Sequence, residues 1–315
     1  MGRVLSRIYH DVKHPASYST AWRLYTAAKN ELPNLKVKQV KRWLTTRDVY
    51  TLHKKPRKRF LRRKTLVPRA YHQIQADLID MSKISKENRK KKFILNVVDC
   101  FSRKMWVELI KSKSNKDVVA GFKKIFKRIN RKVPLLQADR GLEFYGGTSR
   151  AYFKSIGIKL FSTNSSVKSS IVENANKSLQ SKLYKHMSDK NTLRYHDVLQ
   201  DVVESINNRI NRSIGMTPNQ AALRNNHQVV FDKLYKSYLE NKRKYVKYNI
   251  GQPVRISKTS TSSPFMKGYL QGFSKQIYTI AGALDTRPVT YRLMNDKNEL
   301  LPGIFYAPQL SLVNR

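Results

Sequence analysis

Three acidic residues, Asp77, Asp139 and Glu173, stand far apart in the chain, each where a carboxylate can project from a packed element. Asp77 lies in Tyr71-His72-Gln73-Ile74-Gln75-Ala76-Asp77-Leu78-Ile79-Asp80, whose alternation of polar and apolar residues predicts a partly buried strand. Asp139 closes Val133-Pro134-Leu135-Leu136-Gln137-Ala138-Asp139, and Arg140-Gly141 follows at once, where glycine permits the tight exit a strand end needs. Glu173 opens a segment in which Val172, Ala175, Leu179 and Leu183 recur at helical spacing, leaving Glu173, Asn176, Lys177 and Gln180 on another face. An ionised carboxylate in an apolar strand costs several kcal/mol unless a counter-charge compensates it, so two such strands and a helix glutamate predict a shared cation. Oxygen-only ligands favour Mg2+ or Mn2+ over zinc. Two such ions, roughly 3.5–4 Å apart, serve phosphoryl transfer by activating the attacking oxygen and stabilising the leaving one. Taken singly, each acid has a plainer use, because strand-end aspartates also cap helices or pair with lysines.

The elements that must position these acids follow from the pattern around them. Strands are expected over His72–Asp80, Phe93–Val98 and Met105–Ile110, with the polar run Ser82–Lys92 as the first hairpin loop. A helix over Asn115–Asn130 precedes the Asp139 strand, and a short helix over Ser149–Ser155 precedes a strand over Ile158–Phe161. The Glu173 helix follows a polar loop, Ser162–Ser170, that has no apolar anchors and is expected to be mobile until a ligand orders it. Three strands followed by alternating helix and strand describe a mixed five-stranded sheet with helices on both faces. Asp80 competes with Asp77 for the first site position, but an odd separation on a strand sends the two to opposite faces. Asp99 and Glu143 are further acids near the sheet and read as structural.

On these residues the chain resembles the retroviral-type integrases. The segments Gln75-Ala76-Asp77-Leu78, Asp139-Arg140-Gly141-Leu142-Glu143-Phe144 and Ile171-Val172-Glu173-Asn174-Ala175-Asn176-Lys177 look like their D,D,E core. Within that group the chain is most similar to the integrases of Polinton (Maverick) elements and related long terminal repeat retroelements. Supporting runs are Val40–Leu44, Tyr50–Lys54, Val98–Lys104, Arg212–Pro218 and Lys267-Gly268-Tyr269, so the resemblance spans nearly the whole chain. Asp139 and Glu173 are 34 positions apart, slightly closer than is usual in retroviral integrases, and Ala175 and Lys177 replace a bulkier apolar residue and an arginine. The resemblance implies an α/β, ribonuclease-H-like catalytic core with an N-terminal helical unit and a C-terminal SH3-like small β-barrel. It implies a metal-dependent polynucleotidyl transferase in which Asp77, Asp139 and Glu173 hold two Mg2+ (or Mn2+) ions. Such an enzyme trims the 3′ ends of element DNA and joins them to target DNA, and joining two ends in concert implies a homo-oligomer, a dimer or tetramer. Lys177, one turn beyond Glu173, is placed to hold a DNA phosphate or base, or else simply faces solvent; Asn176, Gln180, Arg140 and Lys168 are further candidate DNA contacts. A derivative that binds DNA without catalysis, and a ribonuclease-H-like nuclease, are the alternatives.

Composition agrees with a polyanionic partner. The net charge is +42, and dividing the chain at Ala70 and Phe231 gives parts of +16, +17 and +9, so the excess is not confined to one tail. Double-stranded DNA or RNA suits a surface of that kind, although a ribosomal or other structural protein would share it. The single cysteine, Cys100, excludes a disulfide within the chain and a multi-cysteine zinc site, and it reads as a core residue. His10, His14 and His53 have no cysteine partners, so no zinc is assigned to them. No apolar run approaches membrane-spanning length and no secretory h-region opens the chain, so an intracellular protein, here a nuclear one, is expected.

Along the chain, residues 1–53 read as a small helical unit with helices through Trp22–Ala28 and Val37–Leu44, either a helix-turn-helix or a packed pair. Residues 54–70 form a basic linker; Lys54–Lys64 carries eight basic residues in eleven and suits phosphate contact, a nuclear localisation signal or a solvated charge run. The core is expected over 71–225, with a long helix at Arg194–Arg209 and another started by Thr217-Pro218. A lysine-rich helical connector takes 226–247, and 248–315 holds short strands at Pro253–Ser257, Gln276–Ala281, Val289–Met294 and Gly303–Tyr306.

Overall fold

The computed structural model describes residues 1–57, 60–162, 169–240, 246–258 and 269–314. Four helices open the chain: α1 (Gly2–His10), α2 (Ala21–Lys29), α3 (Val37–Leu44) and α4 (Asp48–His53). Thr20 caps α2, its hydroxyl accepting from the Arg23 N–H at 3.5 Å. Leu5, Tyr9, Leu24, Val40, Trp43 and Leu44 close into one apolar cluster between these helices. His14 takes a packing role there, its Nδ1 accepting from the Ala16 N–H.

The core begins with β1 (Gln73–Asp80), β2 (Phe93–Asp99) and β3 (Met105–Ile110), then α5 (Asn115–Ile129), β4 (Leu135–Gln137), α6 (Leu142–Tyr145), α7 (Gly147–Ser155), β5 (Lys159–Phe161) and α8 (Ser170–Asp189). The strands form one sheet in the order β3-β2-β1-β4-β5, antiparallel through β3, β2 and β1 and parallel from β1 to β4 to β5. Strand β2 is buried on both faces. Its residues Phe93, Leu95 and Val97 pack with the Val118, Phe122, Ile125 and Phe153 side chains of α5 and α7, whereas Ile94 and Val98 pack with Val172, Leu179 and Leu183 of α8. This is the expected ribonuclease-H-like layering.

Three more helices and five more strands follow among the described residues: α9 (Leu199–Asn207), α10 (Pro218–Ala221), α11 (His227–Glu240), β6 (Pro253–Ile256), β7 (Tyr278–Leu284), β8 (Thr290–Met294), β9 (Phe305–Tyr306) and β10 (Leu310–Leu312), with 3-10 turns at Arg224–Asn226 and Ala307–Gln309. Thr217 caps α10 in a reciprocal box with Gln220, and Pro218 takes the first helical position. Strands β6 to β10 make an antiparallel sheet in the order β10-β6-β7-β8-β9 around Val254, Ile280, Tyr291 and Leu293, a small C-terminal β domain.

Two expectations change. The Arg194–Arg209 helix is confined to Leu199–Asn207, because the Asn88 Oδ1 takes the backbone N–H groups of Tyr195 (2.8 Å) and His196 (3.1 Å) and holds that stretch out of a helix. The α11 part of the expected 226–247 connector packs on the core instead: Val230, Leu234 and Tyr235 lie with Val67, Cys100 and Phe101, and the Tyr235 hydroxyl accepts from the Val67 N–H. Residues 241–245 of that stretch lie outside the described residues.

The chain divides into two compact units, Thr65–Lys242 and a second one built from both ends, Met1–Lys64 with Arg243–Arg315. Within the second unit Arg255, 3% exposed, reaches from β6 to the Asp48 carboxylate (2.6 Å), the Thr51 hydroxyl (3.1 Å) and the Ser274 and Lys275 carbonyls. The Leu52 carbonyl accepts from Phe273 N–H, and the Asn314 side chain bonds Thr45. There is no room for a Cβ at Gly272, where Lys54 O would lie 2.7 Å away. The N-terminal helices and the C-terminal sheet are therefore one body.

Candidate active site

The site is built where β1, β4 and the start of α8 meet. In the parallel pair β1–β4, Gln75 lies beside Gln137, and two residues further on the same register sets Asp77 beside Asp139, just past the end of β4. Alternation keeps Gln75 and Asp77 on one face of β1, the face covered by α8. The glutamines join the three acid-bearing elements. Gln73 and Gln75 each donate from Nε2 to the Gln137 Oε1 at 3.1 Å. Gln75 Oε1 in turn accepts from the backbone N–H groups of Ile171 (3.1 Å) and Val172 (3.0 Å). Those N–H groups belong to the first turn of α8, where no intrahelical partner exists. Gln75, 2% exposed, thus substitutes for a helix cap and sets Glu173 one residue beyond its grip.

Asp77 is half-buried, with Oδ1 accepting from its neighbour's N–H, Leu78, at 2.8 Å and Oδ2 from Asn176 Nδ2 at 2.7 Å. Burial pushes its carboxyl above the usual range, and Asp139 and Glu143 push the same way against those two hydrogen bonds. The Glu173 carboxyl is raised too, by burial first and then by Asp139 and Asp77, with Lys177 opposing. Asp77 thus feels the charge of Asp139, and Glu173 feels both, across one patch. Among the described residues, however, no three His, Cys, Asp or Glu side chains stand close enough to hold a metal ion as they are. Asp77 is pinned by its hydrogen bonds, whereas Asp139 and Glu173 are exposed side chains whose like charges favour separation. The donor chemistry nonetheless fits a hard divalent cation: carboxylate oxygens only, with Asp77 and Glu173 made more basic by burial and by neighbouring carboxylates.

The remaining candidates fall as follows. Asp80 is exposed at the end of β1 and binds the following turn, accepting from the Ser82 N–H at 2.9 Å and from the Ser82 hydroxyl. Asp99 is fully buried and organises the β2–β3 turn, accepting from the N–H groups of Tyr71 and Ser102 and from the Ser102 hydroxyl. Glu143, read as structural, lies over Gly141, where an added Cβ would sit 2.3 Å from its Oε2, and its charge reaches Asp77. Lys177 is exposed beside Glu173, Gln180 donates to the Tyr184 hydroxyl, and Arg140 Nε donates to the Ser162 hydroxyl. Asn176 is not the DNA-facing residue its helix position suggested. It is 8% exposed and packed under the helix against Asp77 and Asn96, so it offers no face to DNA. Lys168, most of the Ser162–Ser170 loop and Lys267-Gly268 lie outside the described residues.

The supporting side chains Gln75, Gln137 and Asn96 were not singled out from the sequence. The available signal was a polar residue two positions before each strand acid, and an asparagine inside the apolar run of β2.

No protein-family model matches the chain. A transposon-derived protein of Caenorhabditis elegans is 33% identical over 198 residues, covering 63% of this chain and 65% of that protein, so the chain spans just under two thirds of its relative's length. Among solved structures, a chain of the simian T-cell lymphotropic virus intasome in complex with PP2A regulatory subunit B56 gamma aligns with a TM-score of 0.63 at 15% identity, over 94% of this chain and 99% of that one. The HTLV-2 integrase catalytic core domain in complex with magnesium aligns with a TM-score of 0.41 at 19% identity, over 49% of this chain and 98% of that one. The chain therefore has the ribonuclease-H-like fold of that intasome chain, joined to a small C-terminal β domain, and is similar in sequence to a transposon-derived protein.

Proposed function

We propose that this chain is the integrase of a mobile DNA element of the Polinton (Maverick) kind, processing the 3′ ends of element DNA and transferring them to target DNA. One observation carries the reading: carboxylates borne on three separate elements meet at one patch, where the Asp139 charge acts on Asp77 and the Asp139 and Asp77 charges act on Glu173. Structural ion networks also perturb carboxylates, but here neighbouring carboxylates push Asp77 and Glu173 upward, with Lys177 opposing at Glu173. Asp77, Asp139 and Glu173 would hold Mg2+ or Mn2+, two ions being expected; when bound, these supply the charge stabilisation of phosphoryl transfer.

The chain's own residues do the rest. Asn176 and the Leu78 N–H orient Asp77, Gln75 sets the start of α8, and Lys177 offers its ammonium to a phosphate beside Glu173. Both reactions displace one oxygen from phosphorus with another. Water cleaves a phosphodiester near each element end and leaves a 3′-hydroxyl, which then attacks a target phosphodiester and expels its 3′-oxygen, so one site serves both. A net charge of +42 suits double-stranded DNA on both sides of the reaction. The basic run Lys54–Lys64 supports a nuclear location, and joining two ends together supports a dimer or tetramer.

A second reading, a derivative that binds DNA without catalysis, draws on the spacing of the carboxylates. A magnesium-dependent strand-transfer assay on element-end duplexes separates the two, and hybrid and junction substrates test for a ribonuclease-H-like nuclease. Glu173→Gln should keep DNA binding and abolish joining. Wild-type joining by that variant would sink the proposal.

A further inference from the structure

Strand β2 carries a polar residue where its neighbours demand none. Asn96 is 0% exposed between Leu95 and Val97, in a strand buried at every position, and it pairs across the sheet with Asp77. Its Nδ2 donates to the Asn176 Oδ1 at 2.6 Å, and the Asn176 Nδ2 donates to the Asp77 Oδ2 at 2.7 Å. The direction of this chain follows from its last member. An ionised carboxylate only accepts, so Asn176 must present its NH2 to Asp77 and its oxygen to Asn96. Asn96 must then present its own NH2, which leaves its Oδ1 buried with no hydrogen-bond partner among the described residues. A buried orphan acceptor costs stability, and a valine in its place would suit a strand interior better.

We infer that Asn96 is a positioning residue for the site: acting through Asn176, it fixes the orientation of the Asp77 carboxylate toward the ligand shared with Asp139 and Glu173. This deepens the proposed function and rests on it. The Asn96–Asn176 bond removes the freedom of the Asn176 carboxamide to turn, and so keeps its NH2 aimed at one oxygen of Asp77. Outer partners that orient metal-binding carboxylates behave in this way in general. A merely structural Asn96 would show itself as lost stability on replacement; a positioning Asn96 trades stability for geometry.

The test uses the full chain as wild type, Asn96→Val, Asn176→Ala and the double variant. Three quantities are read: melting temperature in chelator, the Mg2+ concentration at the midpoint of magnesium-induced thermal stabilisation, and exchange of the Asn176 side-chain amide protons by NMR in chelator. Asn96→Val exchanges the orphan oxygen of Asn96 for that of Asn176, so it should melt near the wild-type temperature, while its Mg2+ midpoint should rise about 10-fold. Its Asn176 amide protons should lose protection. In the Asn176→Ala background Asn96→Val should change the midpoint no further, because it acts through that residue. Asn96→Val with a wild-type midpoint and protected Asn176 protons, or single effects that simply add, would overturn the inference. A wild-type chain that neither responds to Mg2+ nor joins DNA counts against the proposed function, and the amide protons then decide the relay alone.

Discussion

Replacing Gln75 by leucine tests whether the three acid-bearing elements are tied together as described. Leucine fills similar space but removes the acceptor of the Ile171 and Val172 N–H groups and the donor to Gln137. Each buried donor left unpaired costs about 1–3 kcal/mol. Val172 is fully buried, whereas Ile171 is only partly so and can recover some of its loss from water. A net destabilisation of about 2–4 kcal/mol follows from those two groups. For a unit of this size each kcal/mol shifts the melting temperature by about 2–4 °C, so a fall of about 4–16 °C is expected. Differential scanning calorimetry reads it. Amide exchange adds a local measure: at about 1.4 kcal/mol per decade, Ile171 and Val172 should exchange at least about 10-fold faster, beyond any change shared with α5. A Gln75→Leu protein with wild-type melting and unchanged protection at Ile171 and Val172 would refute the claim that this side chain anchors the Glu173 helix.

Other outcomes follow from the same geometry. The Asp77 and Glu173 carboxyls sit above their ordinary range, so the native state keeps protons that the unfolded chain has already released. Stability in chelator should therefore decline as pH rises from about 4, the ordinary carboxylate value, through the raised native values. Asp77→Asn should flatten that decline in a series of melting curves, and an unaltered slope would contradict the assignment. Lys177→Ala should weaken binding to element-end DNA and reduce the salt dependence of log K by about one phosphate contact, read by fluorescence anisotropy across a salt series. Arg255→Met should lower the stability of the unit formed by the two chain ends by roughly 2–4 kcal/mol, since charge-assisted bonds to Asp48 and to two carbonyls are lost; unchanged urea unfolding would argue otherwise.

Much of the core was legible because its strands and helices keep clean periods. In β2 the apolar run is continuous, and in α5 Ser114 announces the start while Asn130, in a left-handed conformation, marks the end. What failed did so where a remote side chain overrides the local pattern. Tyr195, Leu199, Val203 and Ile206 are all buried at helical spacing, yet Asn88, more than a hundred residues earlier, takes the amides that a first helical turn would have used. Helices α1 and α4 and strand β10 are short, and no side-chain cap bond marks the start of α1 or α4. The acids were visible as types within or beside predicted elements, but their support was not. Nothing near Gln75 or Asn96 in the chain reveals that their partners are Ile171, Val172 and Asn176.

The seam between α4 and the C-terminal sheet also governs how this protein comes off the ribosome. Leu52 and Thr45 are synthesised early, but the groups that bond them, Phe273 and Asn314, emerge more than two hundred residues later. At about 5–20 residues per second that delay is roughly 10–55 s. Through that interval the newborn helices have only their own small apolar cluster to hold them, while the whole ribonuclease-H-like unit emerges and folds between the two halves of its companion. A stop codon anywhere in the final seventy residues would therefore damage the first fifty as well.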